Sequence, residues 1–426
     1  MSFGQRLKQL RIERGQTQRQ LAEPAYTDAY VSAVEAGRRT PSADALHHFA
    51  TKLGVGEEEL LTGRPPDLAA RLQLELQAAR RTVSVGETEA AQASFLRIGA
   101  EAKAYGLVRL EARAEHGKGL CAMARGDLEG AIALFEASAE LLQDEPATAR
   151  VDAVAAKATC LRRMGDLRYA IYLLENLLET LERKGLSDPN SLLKIHASLV
   201  PPYFESGAYA QAATAAQKAL RLAPRASDPE RIGDMHINVA RVHLNNGRVT
   251  DAEQSLHQAT ELYRELDLQY EIGISHFAWG YVLSRQGRLD NARFELDRAK
   301  EIFSTTNSRL DEASVTNELA RIARQTGDVE RARALLRECT RLLKGSSDVA
   351  ELASAHRELA LLDLEEDPTL AEKNLRQAIE LFERAEFKVE VAICHKILGD
   401  LFHDQGKPDL ARETYRTGIQ GLEERL

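Results

Sequence analysis

Apolar residues recur at helical spacing along almost the whole chain, and the pattern changes character once, near residue 62. Before that point the spacing predicts five short helices. Leu7 and Leu10 begin an amphipathic helix that Gly15 stops. Thr17-Gln18-Arg19-Gln20 reads as a capping box: the Thr17 hydroxyl starts a second helix, Gln20 reaches back, and Leu21 faces the core. A turn through Pro24, Ala25 and Tyr26 leads to a third helix, capped by Thr27 or Asp28, with Val31 and Val34 inward and Gly37 at its end. Pro41-Ser42 opens a fourth, burying Leu46, Phe49, Ala50 and Leu53 before Gly54, and Val55 to Leu61 forms a fifth. Residues 63–67, with Pro65-Pro66, read as a stiff linker between a domain at 1–62 and an array at 68–426.

From Leu68 onward the chain is a repeat. Gly86, Gly126, Gly165, Gly207, Gly247, Gly287, Gly327 and Gly406 fall at steps of about 40 residues, the last a double step with Glu366 at the skipped position. Five residues after each anchor stands an alanine: Ala91, Ala131, Ala170, Ala212, Ala252, Ala292, Ala332, Ala371 and Ala411. Nine after it a larger apolar residue recurs, as at Phe95, Phe135, Leu174 and Leu296. The glycine permits a tight turn between antiparallel helices, the small residue lets them approach, and the larger one fills the next gap. Each hairpin keeps an open apolar face until its neighbour stacks on it. About nine such pairs are expected. Pro201-Pro202 interrupts the first helix of the fourth pair, either as a hinge or as a local irregularity.

Composition narrows the function classes. Of 426 residues, 44% are apolar but only 5% aromatic, which favours helix over strand. No apolar run is long enough to span a membrane, and Met1 to Leu10 carries no signal-peptide core, so a cytoplasmic protein is expected. Cys121, Cys160, Cys339 and Cys394 lie far apart without CxxC spacing and read as reduced core residues. Net charge is −9, yet residues 1–39 carry seven basic against four acidic side chains, a net +3 that leaves −12 for the rest. A basic cap on an acidic body suits a polyanion at the cap alone. Phosphate-binding loops, HExxH and GxSxG are absent from the sequence, and His47-His48 reads as surface, so no enzyme, cofactor or metal site is expected.

The first 62 residues resemble the Xre and phage-repressor helix-turn-helix family. The matching elements are Arg6-Leu7-Lys8-Gln9-Leu10-Arg11, Thr17-Gln18-x-x-Leu21-Ala22, Tyr30-Val31-Ser32-x-Val34-Glu35-x-Gly37-Arg38-Arg39, Pro41-Ser42 and Leu53-Gly54-Val55. The turn before helix three is about one residue shorter than the family's and contains Pro24. The resemblance implies that helix three enters the major groove with Asp28, Ala29, Tyr30, Ser32 and Ala33 nearest the base edges. Asp28 would accept from a cytosine amino group or cap the helix, and Tyr30 would read a base or rest on the backbone. Gln18, Arg38 and Arg39 would contact phosphates, with solvated loop charge as the alternative for the two arginines. Arg11, counted with the phosphate contacts, also matches one half of a pair with Glu35 that bridges helices one and three.

The remaining chain resembles the tetratricopeptide repeat, most closely at Gly207-Ala208-Tyr209-x-x-Ala212, although its period is longer. That implies an all-α chain: a five-helix head followed by a right-handed tetratricopeptide-like solenoid. Inward positions of the first helix in each pair would line a ligand or peptide groove: Lys194, Asn238, Arg241, Asn245, Tyr281, Asn317, Arg321 and His356, with His116 and Lys396 beside them. The combination resembles the RRNPP group of peptide-responsive, quorum-sensing regulators. It implies a homodimer on a two-fold operator in double-stranded DNA, gated by a short peptide. The rival reading is a constitutive DNA-tethered adaptor whose repeats hold a protein partner or its tail.

Overall fold

The computed structural model describes residues 2–65, 67–346 and 348–423. Pro66 of the expected linker and the last three residues of the expected array lie outside them. Every regular element among the described residues is helical. By packing, the chain divides into two units: one holds the residues up to Gln77 together with Arg97–Glu111, the other holds Ala78–Leu96 and the residues from Ala112 on.

The first unit begins with five short helices: α1 (Phe3–Glu13), α2 (Gln18–Ala22), α3 (Asp28–Glu35), α4 (Ala43–Leu53) and α5 (Glu57–Thr62). Side-chain caps set most of these starts. The Thr17–Gln20 capping box is formed, Thr27 rather than Asp28 caps α3, and Ser42 caps α4. Leu7, Leu21, Val31, Val34, Phe49, Leu53 and Leu60 close one core. Arg6 fastens α1 to α5 by donating to the carbonyls of Leu60, at 3.0 Å, and Leu61, at 2.6 Å.

Nine helix pairs follow among the described residues. They are α6 (Leu68–Ser84) with α7 (Thr88–Ala104), α8 (Val108–Ala124) with α9 (Leu128–Leu141), and α10 (Val151–Met164) with α11 (Leu167–Arg183). Next come α12 (Pro189–Glu205) with α13 (Tyr209–Leu222), α14 (Pro229–Asn245) with α15 (Val249–Glu265), and α16 (Gln269–Arg285) with α17 (Leu289–Thr305). The last are α18 (Arg309–Gln325) with α19 (Val329–Leu342), α20 (Val349–Asp363) with α21 (Pro368–Arg384), and α22 (Lys388–Asp404) with α23 (Pro408–Glu423). The outer turns of α6 and α7 belong to the first unit, where Arg71 bridges Glu75 and Glu101 and Arg97 reaches Glu75.

The nine periodic alanines, Ala91 to Ala411, are all buried, and each anchor glycine has positive φ. A second series of left-handed residues, between the pairs, carries no sequence signal of that kind: Asp267, Asn307 and Glu386 adopt positive φ there without being glycine. Glycines of first helices act as sockets for rings of second helices, within a pair or from the pair before. Gly117 faces Phe95 of the preceding pair, while Gly233 faces Tyr263 and Gly273 faces Phe303.

The array in the second unit closes on itself. Ser84 Oγ donates to Glu271 at 2.8 Å and accepts from the Tyr270 amide at 3.1 Å. Arg80 bridges Glu230 and Glu271, and Asn307 donates to the Gly86 carbonyl at 3.3 Å. Arg163 pairs with Asp311, and Gly126, Leu128 and Phe135 share one cluster of apolar contacts with Leu310, Ala313 and Leu336. Gly86 is needed twice: its φ is +85°, and a methyl group there would collide with the Thr306 backbone. Gly86→Val is therefore expected to open this clasp, at about 1–2 kcal/mol for the left-handed backbone plus about 1–3 kcal/mol for overpacking. Hydrogen exchange should accelerate at 268–273 and 304–310; unchanged exchange there would mean the clasp does not depend on close approach.

Candidate DNA interface and repeat groove

The helix proposed to read DNA is held from behind by a buried polar lock. Glu35, at the end of α3, takes Arg11 Nε at 2.6 Å and Nη2 at 3.1 Å, while Arg11 Nη1 donates to the Gln16 carbonyl at 2.8 Å. The Arg11 and Glu35 side chains are 11% and 4% exposed, so this is a desolvated bidentate pair. Gln18 donates to Glu35 Oε2, the oxygen that also accepts from Arg11 Nη2, at 2.8 Å. One sequence expectation is thereby corrected. Arg11 has its guanidinium committed inward, so it braces α1 against α3 instead of reaching a phosphate. Gln18 spends one of its two amide N–H groups on Glu35 and keeps the other. Gly4 completes the brace, because α1 passes so close to the Val34 and Glu35 carbonyls that no Cβ fits.

On the outer side of α3, Asp28 and Ala29 are exposed and Ser32 and Ala33 half-buried, at the i, i+1, i+4, i+5 positions of one face. Asp28 accepts from the Ala29 amide at 2.9 Å, a local turn contact that leaves its second oxygen outward. Tyr30 is half-buried: its ring stacks on Tyr26 at 5.0 Å, and the Arg39 guanidinium lies 4.8 Å above it. Arg38 and Arg39 are exposed. His47 is exposed beside Glu57, as read from sequence. His48 is not surface: it bonds the Leu21 carbonyl at 2.9 Å and packs edge-on against Tyr26 and Phe49, tying α4 to the end of α2. The aromatic cluster under Tyr30 had no signal in the linear pattern, because Tyr26 sits in a turn.

The array's inward residues are largely paired with one another. Lys194 bonds Asp234 at 2.6 Å, and Tyr263 donates to the same carboxylate at 2.9 Å. Burial pulls the Lys194 ammonium down, but Asp234 and Asp152 outweigh it, so its pKa stands above the ordinary lysine value. Arg241 and Arg162 share Glu205 Oε1, whose second oxygen is buried without a partner. Asn317 is buried and donates to Glu351 at 2.6 Å, while Arg321 bonds Glu318 and Ser284. Tyr281 lies under Arg285 at 4.6 Å, and Asn245 is exposed. His356 does not join the groove: it turns to Asn374 on the second helix of its own pair, at 3.1 Å. His116 likewise packs on Phe135, and burial pushes it down to about 4. Lys396 bonds Asp400 on the exposed side of α22.

Of the expected groove residues, Lys194 and Asn238 come together at a cavity of about 190 Å3, which Arg162, Asp234, Pro201 and Pro202 also line. Sequence reasoning did not link Pro201-Pro202 to these residues. Among the described residues no cluster of His, Cys, Asp and Glu could hold a metal, and no helix is long and apolar enough to cross a membrane.

Comparison with known proteins accords with this geometry. Residues 118–369 match the family described as the MalT-like TPR region, and residues 2–62 match a helix-turn-helix domain. An uncharacterised HTH-type transcriptional regulator of Sinorhizobium fredii is 38% identical over 60 residues, which are 14% of this chain and 78% of that protein. The fold is shared with a Rap protein complexed with competence and sporulation factor (TM-score 0.58, 14% identity, 83% of this chain and 98% of that one). It is also shared with the apo quorum sensor NprR from B. thuringiensis (TM-score 0.50, 12% identity, 84% and 100%). The chain belongs to the MalT-like TPR family over more than half its length and, through a helix-turn-helix domain at residues 2–62, to the HTH-type transcriptional regulators.

Proposed function

We propose that this regulator binds a specific DNA sequence through α3 as a homodimer in the cytoplasm, and that its repeat array gates that binding by sensing a short peptide. Residues 1–62 serve as the DNA head, 63–67 as the linker and 68–426 as the sensor. One observation carries the DNA half of this reading: α3 presents Asp28, Ala29, Ser32 and Ala33 on one outward face while the Arg11–Glu35–Gln18 lock fixes it from behind. Asp28 suits a cytosine amino group, Ala29 and Ala33 suit a thymine methyl, and Arg38 and Arg39 suit the flanking phosphates. Tyr30, stacked between Tyr26 and Arg39, suits a sugar or phosphate at the edge. The sensor half is supported by the polar interior of the array and by its fold likeness to a quorum sensor and to a Rap protein in complex with a factor. The mechanism is a population shift: ligand favours one conformation of the array, and only one arrangement of two heads fits a two-fold operator.

Affinity selection of fragmented genomic DNA with the full chain tests this directly, with and without a small-peptide filtrate of cell extract. The expected result is a two-fold symmetric motif that changes with the filtrate. A motif indifferent to it would favour the constitutive adaptor, and no motif would sink the DNA reading. Replacing Arg38 and Arg39 together by Ala should weaken binding to all DNA alike. Each lost phosphate contact lowers the slope of log K against log salt by about 0.9, or roughly 2 per head. A selective loss at one operator position would instead make them base readers.

A further inference from the structure

Helix α12 runs through Pro201 and Pro202 without a break. Neither proline has an N–H, so the carbonyls of Ala197 and Ser198, four residues earlier, lose their regular helical donors. Both of these residues, and both prolines, line the cavity of about 190 Å3 between the first helices of neighbouring pairs. Carbonyls that lose their helical donors seek others, from a ligand or from water. Lining the same cavity are Asn238, whose amide bonds no described residue, and Lys194, whose ammonium spends one N–H on Asp234 and keeps two. Asp234 neutralises Lys194, whereas Arg162 shares Glu205 with Arg241, so a carboxylate is set apart from a carboxamide by its lack of a donor and not by charge. The cavity is smaller than the roughly 300–1,000 Å3 of a whole-ligand pocket, which suits one side chain of a larger ligand.

We propose that this cavity is a subsite for a primary carboxamide, the side chain of glutamine or asparagine in the sensed peptide. The carboxamide NH2 donates to the Ala197 and Ser198 carbonyls, and its oxygen accepts from Lys194 or Asn238. A carboxylate brings no donor for the carbonyls, and an ammonium brings no acceptor and meets Lys194. The proposal rests on the reading of the array as a peptide sensor. It gives Pro201-Pro202 a chemical role: the pair unmasks two backbone acceptors that an ordinary helix would consume.

The probes are acetyl-Ala-Gln-Ala-amide and its Glu and Lys counterparts, measured against the full chain by saturation-transfer NMR titration. All three share the same backbone amides, and the terminal amide is common to them, so differences report the central side chain. The Gln probe should bind at least about fivefold more tightly than the other two, the worth of one or two net hydrogen bonds. Replacing Pro201 and Pro202 together by Ala restores two N–H donors while favouring the helix, and should erase that preference; Asn238→Ala should reduce it. Equal binding of the three probes, failure of the Gln probe to bind, or a preference that survives both variants would overturn the subsite. The DNA selection reads the sensor separately. A filtrate-dependent motif without glutamine preference would sink the subsite and leave the sensor standing, and a glutamine preference with an indifferent motif would keep the subsite but remove its assignment to the sensor.

Discussion

Glu35→Ala is expected to unfold or loosen the DNA head while leaving the array intact. The variant strands the Arg11 guanidinium, 11% exposed, with only the Gln16 carbonyl, and releases Gln18. Removing one partner of a buried pair costs about 3–5 kcal/mol, a large part of the about 5–15 kcal/mol that holds a domain together. Hydrogen exchange of peptides within residues 3–35 should accelerate sharply, with the array's α10–α13 unchanged. The pair itself is not the source of that stability. Replacing Arg11 and Glu35 together by Met should cost far less than Glu35→Ala, because no charge is left buried without its counter-ion. If the single and double variants lose equally, the brace is a matter of packing and not of electrostatics.

The second large effect is acid sensitivity of the array. Burial pushes His116, His196 and His236 down to about 4, against the ordinary value near 6.5. A group whose folded pKa is depressed binds fewer protons folded than unfolded, so stability holds above about pH 6.5 and falls as pH drops towards 4. Glu351 works the other way: burial and the nearby Asp348 raise it to about 7, so it binds a proton in the folded state and offsets one histidine across this window. Asp348, Glu230 and Glu312 are also raised, chiefly by burial, which blunts the effect further at its acid end. His243 and His395 are lowered too, chiefly by burial, and add to the histidine side. The expected net is uptake of about two protons on unfolding near pH 5.5, or about 2.7 kcal/mol per pH unit. Denaturant titrations at pH 7.5, 6.5 and 5.5 should show it. A flat profile would mean these histidines are hydrated in solution.

Much of this architecture is legible in the linear sequence because it depends on local periodicity. The caps at Thr17, Thr27 and Ser42, the anchor glycines and the periodic alanines each act within one helical hairpin, where spacing translates directly into geometry. The Arg11–Glu35 pair was legible only through a family resemblance, since 24 residues separate its members. What stayed hidden was whatever depends on winding. The inner positions of the array were expected to face an open groove; winding brings neighbouring repeats together, so Asn317 and Lys194 find carboxylate partners one repeat away, and Arg321, paired with Glu318 on its own helix, reaches Ser284. Of the histidines at one register, His276 and His356 turn to Glu295 and Asn374 on the second helix of their own pair, a distinction finer than helical period alone resolves. The Ser84–Glu271 bond joins residues 187 apart, and no pattern of spacing announces it.

That last contact bears on how such a chain can change over generations. Open arrays tolerate gain or loss of a unit, because each repeat meets only its neighbours. Here Ser84, Gly86 and Arg80 meet partners on α14, α16 and the turn after α17, so deleting one 40-residue unit between them would present the wrong residues to the first pair. Duplication or loss within this stretch would need simultaneous rebuilding of the contact. Pairs two and three close in the same way on Asp311, Leu336, Ala385 and Glu386, so lineages carrying these contacts should vary in repeat number only beyond residue 387.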